Sequence, residues 1–374
     1  YQTFYSEDCE GCNDVWFSKD LSNCSSCFGC INLRGKQYHI FNQPYTKDEY
    51  RKELEKLNMG SYASLQKLRE RFRTFSLTIP RKYAMILQSA NVTGNDIMQA
   101  KNCQQCFAVS IDMENCAYLW LIDRAKDTYD VSVGYSLELS YEGLSILEGN
   151  RMRMSTVSWG NHDATYVDNC HDCGNIFGCV GVRMKEYCVL NKRYPKEEYL
   201  GLVPKIVESM KEFGEFFSPD LSPFAYNETI AQEHFPLTKE QAIAKGYRWK
   251  DPESKQYEIT KQPGDLPDHI KDVDESILKD VIGCIHGQTC TEQCTKAFKI
   301  TPQELQFYQR MNLPLPRLCP NCRHYTRLKL RNPIKLWHIT CMHPSDCANE
   351  FETPYAPDRP EKIYCEEHYN AEIL

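Results

Sequence analysis

The sequence predicts an α+β protein: an irregular, β-solenoid-like, cysteine-rich repeat domain with flanking helices, followed by two small metal-binding ribbons. Three observations predict it. Of twenty cysteines in 374 residues, twelve lie between Cys9 and Cys188 and eight between Cys284 and Cys365, with none between those groups. A stretch near the N-terminus recurs without a gap near residue 180. Toward the C-terminus, cysteines fall in pairs with a shared internal offset.

The recurring stretches are residues 24–50 and 173–199. Aligned, Cys24 meets Cys173, Phe28-Gly29-Cys30 meets Phe177-Gly178-Cys179, and Tyr38, Asn42 and Tyr50 meet Tyr187, Asn191 and Tyr199. Such an internal repeat signals a stacked architecture. The mismatches are informative: Cys27 stands against Ile176 and His39 against Cys188. A cysteine that exchanges with isoleucine behaves as a small buried hydrophobe. That argues against Cys24, Cys27 and Cys30 as an iron–sulfur triplet, despite their Cys-x-x-Cys-x-x-Cys spacing. Asn-Cys occurs at Asn23-Cys24, Asn102-Cys103, Asn115-Cys116 and Asn169-Cys170. Asparagine tolerates left-handed turns, after which a small thiol can point inward. Turns alternating with short strands are the units of a solenoid. Period-two alternation at 118–122, 129–133 and 137–141 adds strands.

Each repeat copy ends in a helix. Thr46-Lys-Asp-Glu49 has capping-box spacing, and Pro195 suits a first helical turn. Leu65, Leu68, Phe72 and Phe75 share one side of a helix over about 61–76. The second copy's helix continues through Leu200, Val203, Ile206 and Met210 over 199–213. The expected domains are thus 1–215 for the repeats, 216–279 for a Pro-rich connector with short helices (one from Thr238), 280–334 for ribbon one and 335–374 for ribbon two.

The C-terminal pairs are Cys290 and Cys294 with Cys319-Pro-Asn-Cys322, then Cys341 and Cys347 with Cys365-Glu-Glu-His368. Phe298 and Phe351 stand four residues after Cys294 and Cys347. Each copy reads as knuckle, apolar hairpin, knuckle. Four soft ligands converging from two chain reversals suit tetrahedral zinc. The eight residues Cys290, Cys294, Cys319, Cys322, Cys341, Cys347, Cys365 and His368 therefore predict two structural zinc ions. Cys284 competes with Cys290 for the first position, and His343 with Cys341.

Residues 284–331 also carry Glu304-Leu-Gln-Phe307-Tyr308, Pro316 and Cys319-Pro-Asn-Cys322-Arg323. On these residues the segment resembles a zinc-ribbon family, which implies zinc binding without implying an activity. Residues 177–199, 222–242, 298–324 and 347–365 resemble a family common in the reduced genomes of very small bacteria. That resemblance implies cysteine-rich repeats ahead of paired zinc ribbons, and it names no reaction.

Over 299–340, eight basic residues face one acid, Glu304, although the chain's net charge is −7. Arg323, Tyr325, Arg327, Lys329, Arg331 and Lys335 mix cations with an aromatic, a combination that suits phosphates and stacked bases. The expected function is a zinc-binding binding or scaffold protein touching RNA or DNA through this face. A protein partner for the same face is the first alternative. A metal-dependent hydrolase using His162, Asp163, His171 and Asp172, or thiol redox work, are the others. No phosphate-cradling Gly loop, nucleophile elbow or dinucleotide fingerprint occurs. No apolar run reaches the roughly 18–20 residues of a membrane span. The many thiols suggest a reducing, cytoplasmic setting; the chain opens on Tyr1 rather than Met, so an address ahead of it stays open.

Overall fold

The computed structural model describes residues 1–101, 104–113, 146–147, 155–156, 158–211, 213–215, 218–251, 257–287, 290 and 292–373. The strands expected at 118–122, 129–133 and 137–141, and the turns at Asn102-Cys103 and Asn115-Cys116, lie outside these residues. Helices and strands are both present, and two compact units are formed. The first comprises Tyr1–Arg81, Asp251–Arg331 and Pro360–Leu374; the second comprises Lys82–Lys250 and Asn332–Arg359.

The first unit opens on short parallel strands stacked at a constant offset of twelve residues. Asn13 pairs with Ser25 and Ser25 with Gln37; Glu7 pairs with Lys19. Sequence accounts for this through a three-residue rhythm. From Gln2 to Phe41 every third residue has a positive φ, between 46° and 67°. From Cys12 to Cys30 every residue that follows a left-handed corner is buried. Asparagine, aspartate and glycine fill many corners, because they tolerate this conformation at least cost.

The second unit repeats the pattern. From Gly160 to Leu190 every third residue has φ between 47° and 68°. His162 pairs with Gly174 and Gly174 with Glu186, again in parallel. Ala164, Val167, Cys170, Cys173, Ile176, Cys179 and Cys188 form one buried cluster here.

Cysteine thus occupies positions that other small apolar residues also fill. Val15, Cys27 and His39 stand in one register, and so do Ala164, Ile176 and Cys188. The thiols also act as weak donors. Cys24 Sγ donates to the carbonyls of Ser22 and Leu33, both at 3.4 Å. Cys170 Sγ donates to those of Asp168 at 3.4 Å and Cys179 at 3.3 Å. From Cys9 to Cys30 and from Cys170 to Cys179, each inward thiol so bonds one carbonyl two residues back and another nine residues ahead.

The two segments aligned in sequence make matching contacts. The Asn42 side chain brackets the N–H and carbonyl of Ile31, both at 2.9 Å, and Asn191 does the same to Val180. Ring centroids of Tyr38 and Tyr50 lie 5.7 Å apart, as do those of Tyr187 and Tyr199. Helix α1 (Lys47–Lys56) carries the expected capping box of Thr46 and Glu49. Helix α2 (Tyr62–Ser76) buries Leu65 and Leu68. Helix α3 (Lys196–Ser209) differs from expectation at both ends. Pro195 is its N-cap rather than its first turn, and the helix stops at Ser209 after accommodating Pro204.

The connector forms α4 (Ala231–His234), α5 (Lys239–Ala244, capped by Thr238) and several single turns. Its later part is not merely a linker. Leu266, Ile270, Val273 and Ile277 join Ile282, Phe298, Leu305 and Leu315 in one core within the first unit. Arg317 fixes that packing: its guanidinium donates to the carbonyls of Leu266 at 2.9 Å and Pro267 at 2.8 Å and lies over the Tyr62 ring. No described helix is long and apolar enough to cross a membrane.

Candidate metal centre

The centre is built on a short antiparallel hairpin and a helix start, all in the first unit. Ile282–Gly283 pairs with Ala297–Phe298. Cys284 leaves one strand and donates its N–H to the Lys296 carbonyl at 2.8 Å, next to Cys294. Between the two knuckles stands α6 (Pro302–Arg310), capped by Thr301 and Glu304, where the sequence suggested an apolar hairpin. Pro302 and the capping box favour a helix there, and Leu305 anchors it in the core. Helix α7 (Pro320–Leu328) begins at the second knuckle. Cys319 is its N-cap, and the Cys319 side chain accepts from the Cys322 N–H at 3.5 Å.

Cys284, Cys294, Cys319 and Cys322 place their sulfurs within 4.8 Å of one another. Cys284 is therefore a member of the four-thiol group. Cys290 falls into an overlapping group with His286, Glu292 and the same Cys322. The sulfur spacings suit metal. Cys294 and Cys319 sulfurs are 3.9 Å apart, and those of Cys290 and Cys322 3.5 Å. Zinc–sulfur bonds of about 2.3 Å put tetrahedral thiolates about 3.8 Å apart.

The thiols differ electrostatically. Burial works to raise Cys319, but hydrogen bonds from Thr295 and from the Cys322 backbone outweigh it and hold the thiol down at about 6. Burial pushes Cys294 up to about 12. Burial, reinforced by the neighbouring Cys290 and Cys319, also raises Cys322. Cys319 also caps a helix N-terminus, where the backbone dipole favours negative charge.

The other expected ligands are placed as follows. Cys341 and Cys347 lie around the turn of a hairpin, Trp337–Thr340 against Glu350–Thr353, in the second unit. The Cys341 N–H donates to the Asn349 carbonyl at 2.8 Å. His343 Nδ1 is 2.7 Å from Ser345 Oγ. The Phe351 ring lies tilted against that of Tyr83, with centroids 4.9 Å apart. In the first unit, Cys365 Sγ lies 3.3 Å from His368 Nδ1 at the start of α8 (Glu366–Ile373).

The basic face is thinner than its sequence. Arg317 is buried in the packing described above. Arg323 donates to the Tyr308 hydroxyl at 3.1 Å and lies 3.7 Å from Glu304. Lys329 is paired with Glu292. Tyr325 is half-buried, with its ring 5.7 Å from His324. Arg327 and Arg331 are exposed in the first unit; Lys335 is exposed in the second, above the Trp337 ring. His162, Asp163 and Asp172 are exposed on ladder positions, and His171 Nε2 meets Asn169 Oδ1 at 2.9 Å.

Sequence reading missed His286 and Glu292 as members of the centre. The available signal was their spacing around Cys290, but only the hairpin at 282–298 shows that it folds onto Cys322. No family model, curated protein or solved structure matches the chain.

Proposed function

We propose that this is a zinc-stabilised binding protein whose first zinc is held by Cys284, Cys294, Cys319 and Cys322. The convergence of those four sulfurs carries the reading. Four protein ligands leave no open position for water, so this zinc is structural. Residues 284–331 resemble a zinc-ribbon family, which supports the same metal. Elemental analysis tests the assignment: zinc without iron is expected, and a chain purified free of zinc overturns it.

The partner we propose is nucleic acid, met through Arg327 and Arg331 at the end of α7, with Lys335 further along the chain. Exposed arginines suit phosphate contacts, and such contacts weaken steeply with salt. Binding of the full chain to single-stranded RNA and DNA should appear at low salt and fall with an Arg327→Ala/Arg331→Ala variant. No binding at low salt rules this partner out.

We read the twelve-residue parallel ladders as turns of a β-solenoid. The constant register and the three-residue corner rhythm support this. Its role is then to present a rigid surface rather than to perform chemistry with its thiols.

A further inference from the structure

We propose that the first centre is dinuclear: His286, Cys290 and Glu292 hold a second divalent metal ion that shares the Cys322 thiolate with the four-thiol site. This rests on the reading that Cys284, Cys294, Cys319 and Cys322 hold zinc. The donor atoms of His286, Cys290, Glu292 and Cys322 all lie within 4.8 Å of one another. One tetrahedral ion accepts four thiolates, so a fifth, Cys290, 3.5 Å from the Cys322 sulfur, is surplus to it.

The independent observation is Glu292. It is only 9% exposed, yet its Oε2 is buried without a hydrogen-bond partner, while Oε1 is taken by Lys329. A buried carboxylate oxygen left unbonded is costly unless it has a ligand. That oxygen sits 3.6 Å from His286 Nδ1. This is too long for a hydrogen bond, but it is near the separation of about 3.4 Å expected of nitrogen and oxygen on one tetrahedral zinc with bonds of about 2.1 Å. Charge also closes. The added dication meets the Cys290 thiolate and the Glu292 carboxylate, so the net charge of the centre does not change. A thiolate has lone pairs enough to bridge two ions. His286, Cys290 and Glu292 donate sulfur, nitrogen and oxygen together, a set that suits zinc and its neighbours in the transition series.

The test is metal content of the full chain, loaded with zinc and freed of excess. A His286→Ala/Glu292→Gln chain should lose about one zinc relative to wild type, and Cys290→Ser should lose the same one. After cobalt substitution both variants should keep the absorption of the four-thiol site. Wild-type zinc content in the double variant overturns the dinuclear assignment, whatever Cys290→Ser does. A Cys319→Ser chain separates the two readings: if it too keeps wild-type zinc, the four-thiol site itself is wrong. Should the double variant fail to fold, His286→Gln, at a half-exposed side chain, is expected to show the same loss, and wild-type zinc in that variant overturns the assignment.

Discussion

Cys27-x-x-Cys30 and Cys319-x-x-Cys322 share one spacing and two different physics. In the ladder, three residues is the distance between successive inward corners, so the spacing records backbone rhythm. Cys30 Sγ donates to the carbonyls of Phe28 at 3.5 Å and His39 at 3.4 Å. At the centre, three residues is the reach of a helix start, and Cys319 and Cys322 gather with two further sulfurs. One set of thiols faces backbone and the other faces itself. What separates them is what lies across the fold from each, not the motif.

The same substitution should therefore give opposite outcomes, and this is the largest contrast expected. Cys319→Ser removes a zinc ligand. Structural zinc contributes apparent binding free energy of about 10 kcal/mol or more, so the segment around the centre, 282–328, should lose metal and its fixed packing at ordinary temperature while the ladder stays folded. Cys30→Ser should keep all its metal and cost only about 1 kcal/mol. Ser18 shows why. It is buried at an inward position twelve residues earlier, donates to the Trp16 carbonyl at 2.9 Å and accepts from the Cys30 N–H at 3.1 Å. Zinc content and thermal melting of the two variants check this directly. Equal metal loss in both would erase the distinction.

How far the sequence could see follows from the same contrast. The exchange of Cys27 with Ile176 marked the ladder thiols as packing residues, and Asn23 and Asn169 marked left-handed corners; they have φ of 53° and 51°. Thr301 and Glu304 were a readable capping box, yet the cysteine framework drew attention to a hairpin instead of α6. Cys284 was readable as a rival to Cys290, but which of the two joins the four thiols, and the places of His286 and Glu292, were not. They depend on the hairpin register of Ile282 with Phe298, a pairing that no local pattern specifies. Sequence shows the charges of Lys329 and Arg323 but not the Glu292 and Glu304 that meet them.

Acid and alkali should attack different regions. Zinc must displace protons from Cys294, held up at about 12, and from the raised Cys322, so metal affinity falls as pH falls. Acidification should release zinc first, visible with a chromogenic chelator, while ladder circular dichroism persists. The ladder thiols behave in the other sense. Burial raises Cys24, Cys170, Cys179 and Cys188 above the ordinary 9.0, and Cys9 to about 11. A raised thiol favours the folded, protonated state. Its contribution is whole below pH 9.0 and is lost as pH climbs through the folded values. Loss of ladder signal before zinc on acidification would reverse this assignment.

Corners should matter in the ladder by their crowding. Gly29 has φ of 67°, and an added Cβ would stand 2.9 Å from the Phe41 ring. Gly35 has φ of 60° with nothing within 4 Å. Left-handed strain of roughly 1–2 kcal/mol applies to both alanine variants, and only Gly29→Ala adds a clash. Denaturant melts should rank Gly29→Ala as the more destabilising, with zinc unchanged in each. Equal costs would mean that Phe41 yields freely.

The smallest effect is expected at Cys27→Val. Val15 already fills the paired position one step earlier in the ladder, fully buried, so the added methyl has a precedent in shape. What is lost is two weak sulfur hydrogen bonds, to Ser25 at 3.5 Å and Lys36 at 3.8 Å. A near-isosteric apolar exchange in a packed interior costs less than about 1.5 kcal/mol. The variant should melt within a few degrees of wild type and keep its full zinc. A loss of several kcal/mol would show that the thiol's bonds to the next strand, rather than its volume, are what the ladder needs from cysteine. A loss of metal would place Cys27 with the other kind of Cys-x-x-Cys.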